Sequence, residues 1–256
     1  MALLEVKKIS KHFGGLAVLR DVDFSVNASE IVGLIGPNGA GKTTLFNVMS
    51  GFLRPSRGNV IFNGEDITGI RPDLLARKGV VRTFQLPITY MRSTVFDNVL
   101  AAFHMSYQEP PWKAFLRTGP AREEDRIAKQ NAMEIMEFTG LAPQKDKLAD
   151  SLSSGYHKLL AISIAFATNP KLLLLDEPVV TLSPDKVEMI MGLVNKMRHK
   201  GTTVIIIEHN MKAIMDYCDR IVVLGYGKKI AEGPGQEIQQ NKEVIEAYLG
   251  DMASVS

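Results

Sequence analysis

The sequence is poor in cysteine, since Cys218 is the only one among 256 residues. A lone cysteine cannot form an internal disulfide, so the composition fits a reducing compartment. We expect Cys218 to act as a small buried hydrophobic residue. The sequence also lacks the clustered cysteine and histidine residues that are typical of a structural metal site.

Long hydrophobic runs are missing as well. No stretch of the sequence approaches the roughly 18 apolar residues that a membrane-spanning helix needs. The first residues, MALLEVKKISKHF, are too charged for a signal peptide. The sequence therefore predicts a chain that does not cross a membrane by itself, so that any role at a membrane would require partner proteins.

Neither sign of charge dominates the composition. The chain has 30 basic and 28 acidic residues, a formal net charge of +2, and no conspicuous run of like charges. Proteins that bind nucleic acid normally present a strong basic surface, so we do not expect nucleic acid as a partner. The hydrophobic content of 45 % and the charged content of 23 % are typical of a globular protein.

The patterns that are present favour an α/β fold. From Leu3 to about Val26 polar and apolar residues alternate, which predicts half-buried strands. Continuous apolar strands with helical patterns between them predict a mostly parallel sheet that is covered on both faces. The apolar strands are EIVGLIG, KLLLLDEP and TTVIIIEHN, the helices are KTTLFNVMS and DKVEMIMGLVNKMRHKG, and DRIVVLGYGKKIAEG resembles a hairpin.

A helical stretch interrupts this α/β pattern. Its clearest amphipathic part is AREEDRIAKQNAMEIMEFTGLA, and the preceding QEPPWKAF predicts an irregular connection. We therefore expect a single domain whose core comprises residues 1–86 and 168–256. The inserted helical subdomain is expected over residues 87–167.

A glycine-rich segment carries the most specific signal in the sequence. It matches G-x-x-x-x-G-K-[ST], follows a predicted strand and precedes a predicted helix, a context that disfavours a plain surface turn. Its glycines allow backbone N–H groups to turn inward, and the helix start adds positive potential, so we expect it to bind the phosphates of a nucleotide. Lys42 would bridge the β- and γ-phosphates, and the Thr43 hydroxyl would bind Mg²⁺. The nucleotide-binding residues are Gly36, Pro37, Asn38, Gly39, Ala40, Gly41, Lys42, Thr43 and Thr44.

Two adjacent acids follow the apolar strand LLLL. Asp176 would hold Mg²⁺, directly or through water, and Glu177 would act as the general base for the attacking water. The alternative is that both are solvated loop residues. His209, at the tip of another core strand, is placed to reach the γ-phosphate, although a lone histidine is more often structural. Gln85, in VRTFQ, is a weak signal when it is taken alone.

Together these motifs resemble the nucleotide-binding subunits of ABC transporters. The phosphate loop, TFQ, a serine-glycine signature, LLLLDEP and a strand ending in EH occur in the family's order across essentially the whole chain. The resemblance implies a P-loop NTPase core of the RecA-like type. It also implies an N-terminal antiparallel β subdomain and an inserted α-helical subdomain.

The resemblance also assigns roles to residues. Phe13 matches the aromatic residue that stacks on adenine, and Val18 flanks it. Gln85 matches the glutamine that contacts Mg²⁺ or water and reports to the membrane subunit, and His209 matches the switch histidine. The resemblance further implies that the signature of one subunit closes over ATP held by a second one. In that signature, Leu152 to Tyr156, the phosphate contacts belong to Ser153 and Gly155.

The signature departs from the family pattern LSGGQ. Ser154 replaces a glycine, and Tyr156 replaces a glutamine. Ser154 adds a side chain where the backbone should approach ATP closely, so reduced or asymmetric activity is one expectation. Thr181-Leu182-Ser183 also differs from the acidic residue or asparagine that many relatives have there. The alternative reading of the signature is an ordinary helix start with a serine cap.

The two ends of the chain narrow the resemblance. KHFGGLAVLRDVDFSV and KKIAEGPGQEIQQNKEVIEAYLG are similar to the branched-chain amino acid uptake group. Related systems import amides or urea, and a lipopolysaccharide exporter subunit is also similar. We expect import of branched-chain or other hydrophobic amino acids, at the cytoplasmic face of the inner membrane, as a peripheral subunit.

The implied partners are two transmembrane permease subunits, a second ATP-binding subunit and an extracytoplasmic solute-binding protein. The permeases would dock beside Gln85, around Ile88 to Asn98. Three alternatives from other classes remain open. They are a non-transport ABC ATPase of DNA repair or translation, a P-loop kinase or GTPase, and a weakly active regulatory partner. No N-K-x-D guanine reader is present, which disfavours the GTPase.

Overall fold

An antiparallel sheet built from the N-terminal part of the chain forms one layer of the fold. The computed structural model describes residues 2–83, 90–106 and 119–253. The sheet comprises β1 (Ala2–Phe13), β2 (Leu16–Asn27), β4 (Arg57–Phe62) and β5 (Glu65–Asp66), in the order β2-β1-β4-β5. Alternate residues in the second half of β2 are buried, namely Val22, Phe24 and Val26, and Leu19 is buried as well. The strands predicted from Leu3 to Val26 are therefore confirmed.

A second, mostly parallel sheet forms the centre of the protein. It comprises β3 (Ile31–Ile35), β6 (Val80–Arg82), β7 (Leu172–Asp176), β8 (Thr203–Ile207), β9 (Arg220–Gly225) and β10 (Lys228–Gly233). The strand order is β10-β9-β3-β8-β7-β6, and β10 pairs antiparallel with β9 as the predicted hairpin does. The other pairs are parallel. These two sheets confirm the α/β fold with an antiparallel N-terminal subdomain.

Helices cover the central sheet. They are α1 (Lys42–Met49), α2 (Pro72–Lys78), α6 (Pro184–His199), α7 (Met211–Tyr217), α8 (Gly235–Gln240) and α9 (Lys242–Ala253). Buried residues of α1 join one hydrophobic cluster with apolar residues of both sheets, so this short helix is held firmly by packing. The predicted end of α6 is also observed. Gly201 there has φ +97°, a conformation that glycine adopts without strain.

The remaining helices belong to a separate compact unit. The chain divides into Met1–Arg82 with Lys171–Ser256 as one unit and Thr83–Pro170 as the other. The second unit contains α3 (Val95–Ser106), α4 (Gly119–Thr139) and α5 (Ser154–Ala167), which pack on one another. Ala128, Ala132 and Met136 form a buried stripe along α4 at a spacing of four residues. The inserted helical subdomain is therefore present, and the segment QEPPWKAF lies outside the described residues.

Within the described ranges, no helix is both long enough and apolar enough to cross a bilayer.

Candidate functional site

The glycine-rich segment forms a tight loop between β3 and α1. At Gly36, which has φ +151°, an added Cβ would lie 2.1 Å from the carbonyl oxygen of Leu224 on the neighbouring strand β9. At Gly41, which has φ +99°, the added atom would lie 2.7 Å from a methyl group of Leu19. The neighbouring strands therefore require glycine at both positions, independently of any ligand.

Lys42 occupies the interior of this loop. Its Nζ donates hydrogen bonds to the carbonyl oxygens of Gly36 at 2.7 Å and of Pro37 at 2.9 Å, and the residue is only 7 % exposed. Because Gly41 at the start of α1 has no side chain for capping, the first backbone N–H groups of the helix are left for an anion. The loop thus brings an ammonium group and a helix start together, as phosphate binding requires.

The order of the strands brings the other candidate residues to the same edge of the sheet. Ile207 of β8 pairs with Leu34 of β3 on one side and with Asp176 of β7 on the other. The three strands are parallel, so their carboxyl ends lie side by side. With neighbouring strands ~4.8 Å apart, the phosphate loop and Asp176 are separated by about the width of one intervening strand. This is the edge at which open α/β sheets bind ligands.

Glu177 and His209 meet at this edge. Nε2 of His209 lies 3.2 Å from Oε1 of Glu177, and the two side chains are 44 % and 19 % exposed, respectively. Glu177 has φ +50°, which is uncommon for a residue with a side chain, and its backbone N–H donates to the carbonyl of Ile207 at 2.9 Å. The hydrogen bond to β8 holds this conformation and aims the carboxylate toward the histidine.

Glu208 is a buried carboxylate that the sequence analysis mentioned without giving it a role. It is 1 % exposed and accepts a hydrogen bond from the backbone N–H of Val179 at 2.7 Å. It also accepts from the backbone N–H groups of His209 at 3.0 Å and Asn210 at 3.3 Å. Glu208 therefore ties the segment that follows Glu177 to the segment that carries His209. The signal in the sequence was a carboxylate at the end of an otherwise apolar strand.

Arg82 is a second residue that the sequence analysis missed. Its guanidinium donates to Oδ2 of Asp176 at 2.8 Å, and the two side chains are only 7 % and 11 % exposed. Arg82 pairs with Leu174 in the sheet, two residues before Asp176, so both side chains lie on the same face of neighbouring strands. A charge at the end of the apolar strand VVR was the available signal.

Phe13 and Val18 are the residues expected to contact adenine, and of these Val18 lies beside the phosphate loop. The carbonyl oxygen of Val18 is 3.1 Å from the position of a Cβ added to Gly41, so the start of β2 borders the loop. Phe13 ends β1 and is 50 % exposed, with Nζ of Lys11 5.1 Å from the centre of its ring. An exposed ring at a strand end is available for stacking on a base.

The signature segment lies in the helical unit, where it starts α5. Ser153 takes the N-cap position with extended backbone (φ −71°, ψ 160°), and its side chain makes no capping hydrogen bond. Gly155 is buried, Ser154 is exposed and Tyr156 is partly buried. The alternative of an ordinary serine cap would use the Ser153 hydroxyl on the helix itself, and the observed geometry does not show that bond.

Some predicted site residues lie outside the described part of the chain, and one at the expected docking segment is buried. Gln85 and Ile88 are among the residues that are not described. Asn98, at the end of the proposed docking segment, is 2 % exposed and is hydrogen-bonded to Tyr90 and Thr94, so it orders the segment from within. Tyr90 and Met91, in the same segment, are exposed.

The single cysteine, expected to be buried, is only partly buried as a residue. Burial raises the pKa of the Cys218 thiol to about 12, with a smaller contribution from the negative charge of Asp219. The thiol therefore stays protonated at physiological pH, and a protonated thiol is a poor nucleophile. No catalytic role of Cys218 is needed.

The side chains at this edge fit Mg²⁺ bound together with a nucleotide. The Thr43 hydroxyl at the start of α1 and the Asp176 carboxylate at the end of β7 are hard oxygen ligands. Magnesium usually takes one or two carboxylates and completes its shell with phosphate and water. Among the described residues, no cluster of three or more histidine, cysteine or acidic side chains that could hold a metal ion is found.

A phosphate loop and paired acids at the carboxyl edge of a parallel sheet define a P-loop nucleoside triphosphatase. Comparison with known proteins is more specific. The sequence model of the family "ABC transporter" matches residues 19–180, and that of "Branched-chain amino acid ATP-binding cassette transporter" matches residues 228–254. The chain belongs to the ABC transporter family.

Relatives of this chain extend over its whole length. It is 37 % identical over 250 residues to the high-affinity branched-chain amino acid transport ATP-binding proteins BraF of Pseudomonas aeruginosa and LivG of Escherichia coli K12. Each alignment covers 97 % of this chain and 98 % of the relative. The ADP conformation of MJ1267, an ATP-binding cassette of an ABC transporter, superposes with a TM-score of 0.85 at 35 % identity. That comparison covers 98 % of this chain and 99 % of MJ1267.

The chain is thus an ATP-binding subunit of an ABC transporter, and its activity is ATP hydrolysis coupled to transport. Such a subunit works with permease partners in the membrane.

Proposed function

We propose that this subunit drives the import of branched-chain or other hydrophobic amino acids. The observation that carries the ATPase part is the sheet edge where the phosphate loop, the Glu177–His209 pair and Asp176 end on neighbouring strands. The amino acid substrate is supported by the C-terminal match at residues 228–254 and by the relatives BraF and LivG, which are named as branched-chain amino acid transport proteins. The substrate would be recognised by the partner proteins, because no amino acid needs to contact this chain.

The phosphate loop and its surroundings would bind ATP. Lys42 would give up one or both of its hydrogen bonds to loop carbonyls and pair with the β- and γ-phosphates. The N–H groups at the start of α1 would donate further hydrogen bonds to the phosphates. Phe13 would stack on adenine, with Val18 beside it. These contacts combine one charge-assisted site for the phosphates with one aromatic surface for the base.

Asp176 and Glu177 would have different roles in ATP hydrolysis. Bound Mg²⁺ would neutralise phosphate charge during hydrolysis, held by Thr43 and Asp176 with Gln85 nearby. Glu177 would accept a proton from the attacking water as general base. His209, which now lies against Glu177, would turn its Nε2 toward the γ-phosphate once ATP is bound. Glu208 would hold both catalytic segments in place through its three backbone hydrogen bonds.

Two such subunits would close around two ATP molecules. Ser153 and Gly155 of one subunit would contact the γ-phosphate held by the other, and the absence of a capping bond at Ser153 leaves its hydroxyl suited to this role. Closure would follow from tighter binding of ATP to the closed pair than to the open subunits. The second subunit would be a copy of this chain or a related one.

The membrane partners would be two permease subunits, together with an extracytoplasmic solute-binding protein. The exposed Tyr90 and Met91, in the segment that follows Gln85, favour docking of a permease at this position. The subunit would then act at the cytoplasmic face of the inner membrane without entering the bilayer. Neither this arrangement nor the composition favours nucleic acid as a partner.

The mass of the Glu177→Gln variant in solution tests the ATP-driven pairing. Light scattering should show a dimer with Mg-ATP and a monomer with Mg-ADP, because the variant binds ATP but is slow to cleave it. We expect its turnover number to fall by roughly 10²–10⁴. The matched control is Glu188→Gln on the exposed side of α6, which should hydrolyse ATP at the normal rate.

A monomer in both nucleotides, with ATP binding confirmed separately, would contradict self-pairing. It would favour the second candidate, a weakly active subunit that depends on a different companion. The observation behind that candidate is the altered signature, with Ser154 and Tyr156. Mixing the variant with the companion subunit would then restore the ATP-dependent dimer.

The substrate is tested with the complete transporter. ATP hydrolysis by the subunit and its permeases in nanodiscs should rise when the solute-binding protein is added with leucine, isoleucine or valine. Stimulation by urea or a short amide alone would replace the amino acid assignment, while the ATPase assignment would stand.

A further inference from the structure

We propose that Arg82 is the counter-ion of Asp176 and that its charge weakens the binding of Mg²⁺ with the nucleotide. The inference rests on the proposed role of Asp176 in holding Mg²⁺. It adds a positioning residue that sets how strongly metal and nucleotide binding are coupled.

The contact between the two residues is short and largely shielded from water. Nη2 of Arg82 lies 2.8 Å from Oδ2 of Asp176, and the side chains are 7 % and 11 % exposed. A carboxylate at this depth needs a positive partner, because burial of an unpaired charge is strongly unfavourable. Arg82 is this partner.

The rest of the guanidinium is fixed to α1, the helix that starts at the phosphate loop. Nη1 of Arg82 donates to Oδ1 of Asn47 at 2.6 Å and to Oγ of Ser50 at 3.1 Å. Its Cζ also lies 5.6 Å from the ring centre of Phe46 and 5.8 Å from that of Phe52. Planar groups with several donors are held well by such combined contacts. The charge of Arg82 therefore stays near Asp176 and cannot swing freely into solvent.

These contacts have two consequences for the metal. Since Oδ2 of Asp176 already accepts from Arg82, Oδ1 is the oxygen that Mg²⁺ or its water can use without breaking the ion pair. The fixed positive charge also repels a divalent cation that approaches the same carboxylate. Loss of Arg82 would leave Asp176 uncompensated until a metal arrives, so the metal would bind more tightly.

The experiment measures the coupling between Mg²⁺ and ADP in equilibrium binding. The dissociation constant of a fluorescent ADP analogue is measured with EDTA and with saturating Mg²⁺, and the ratio of the two constants is the coupling. Any effect of Arg82 on the phosphates alone appears in both constants and divides out. For Arg82→Met we expect this ratio to rise by about fivefold or more, on the scale of charge repulsion at short range in a protein.

Two further variants separate charge from structure. Arg82→Lys keeps the positive charge but loses the planar contacts of the guanidinium, so its ratio should lie closer to the wild-type value than that of Arg82→Met. Arg198→Met is the matched control, because it removes an Arg198–Asp219 ion pair of 2.6 Å that lies outside the proposed site. It should lower the melting temperature without changing the ratio. If Arg82→Met does not fold, Arg82→Gln supplies a neutral side chain that can still donate to Asp176.

The outcomes distinguish this inference from the proposed function. A ratio of one in the wild-type protein would mean that Mg²⁺ does not strengthen ADP binding, which would overturn the role of Asp176. If the ratio is well above one in the wild type but is unchanged or smaller in Arg82→Met and Arg82→Gln, the role of Arg82 alone would be overturned. Thermal unfolding gives a second readout, since Mg-ADP should raise the melting temperature of Arg82→Met more than that of the wild type.

Discussion

The two helix starts assigned to phosphate, at α1 and at α5, are built differently. The start of α1 depends on glycines with positive φ, packed so closely against β2 and β9 that a methyl group would collide with them. The start of α5 has an N-cap serine with ordinary extended backbone, and Ser154 beside it is exposed. The start of α1 is determined by packing within its own unit. The start of α5 instead presents side chains that would make their contacts only with a partner.

This difference fits the departure at Ser154, which is exposed, whereas nothing in the structure explains Tyr156, which is partly buried. No substitution occurs in the pattern of the phosphate loop, while the signature carries Ser154 and Tyr156. At an exposed position a serine in place of glycine does not disturb the subunit itself, so its effect should appear only when a second subunit approaches. The following predictions test this contrast, beginning with the largest effect.

Lys42→Ala should lower the affinity for ATP by about 100-fold or more, because the variant loses the charge-assisted contact with two phosphate groups. Equilibrium binding of a fluorescent ATP analogue measures the change. Lys212→Ala is the control, since Lys212 is an exposed lysine paired with Asp216 on α7. Equal affinity of Lys42→Ala and the wild type would remove Lys42 from the phosphate site.

Gly36→Ala should reduce both ATP affinity and stability, because its new Cβ would lie 2.1 Å from the carbonyl oxygen of Leu224. We expect the free energy of unfolding to fall by roughly 1–3 kcal/mol, measured by urea denaturation. Gly192→Ala, inside α6 and with no atom within 4 Å of the added Cβ, should instead leave stability unchanged or raise it slightly. Similar losses in both variants would show that packing around the loop is not the cause.

Ser153→Ala should lower the ATPase turnover by about tenfold, the effect of one lost hydrogen bond to a charged group in the closed pair. ATP affinity of the isolated subunit should not change. Ser151→Ala, in the turn just before the signature, serves as the matched serine control. If Ser153→Ala weakened ATP binding by the monomer, the signature would act within its own subunit.

Ser154→Gly should have the smallest effect and the opposite sign. We expect turnover to rise by up to about threefold, because closer approach of the backbone to ATP becomes possible, while stability falls by less than about 1 kcal/mol. Steady-state ATP hydrolysis and thermal unfolding measure the two changes. Slower hydrolysis in this variant would mean that the serine makes a favourable contact of its own.

Much of the architecture followed from local patterns. Alternation in β1 and β2, apolar runs in β7 and β8, and the hairpin of β9 and β10 were all predicted correctly, because burial on one or two faces leaves a direct trace in the sequence. Arg82 and Glu208 were not assigned roles. Each is a charged residue at the end of an apolar strand, and a main partner of each, Asp176 for Arg82 and Val179 for Glu208, comes from a segment distant in sequence.

The sequence by itself determined the chemistry that this protein carries. A glycine loop with Lys42 and Thr43, and adjacent acids after an apolar strand, predict nucleotide binding because few other arrangements need those residues at that spacing. The tertiary structure decided which groups meet. Parallel pairing aligned Leu34, Ile207 and Asp176, and it placed Arg82 on the same face as Asp176. Strand order and register depend on long-range packing, which no local stretch of sequence specifies.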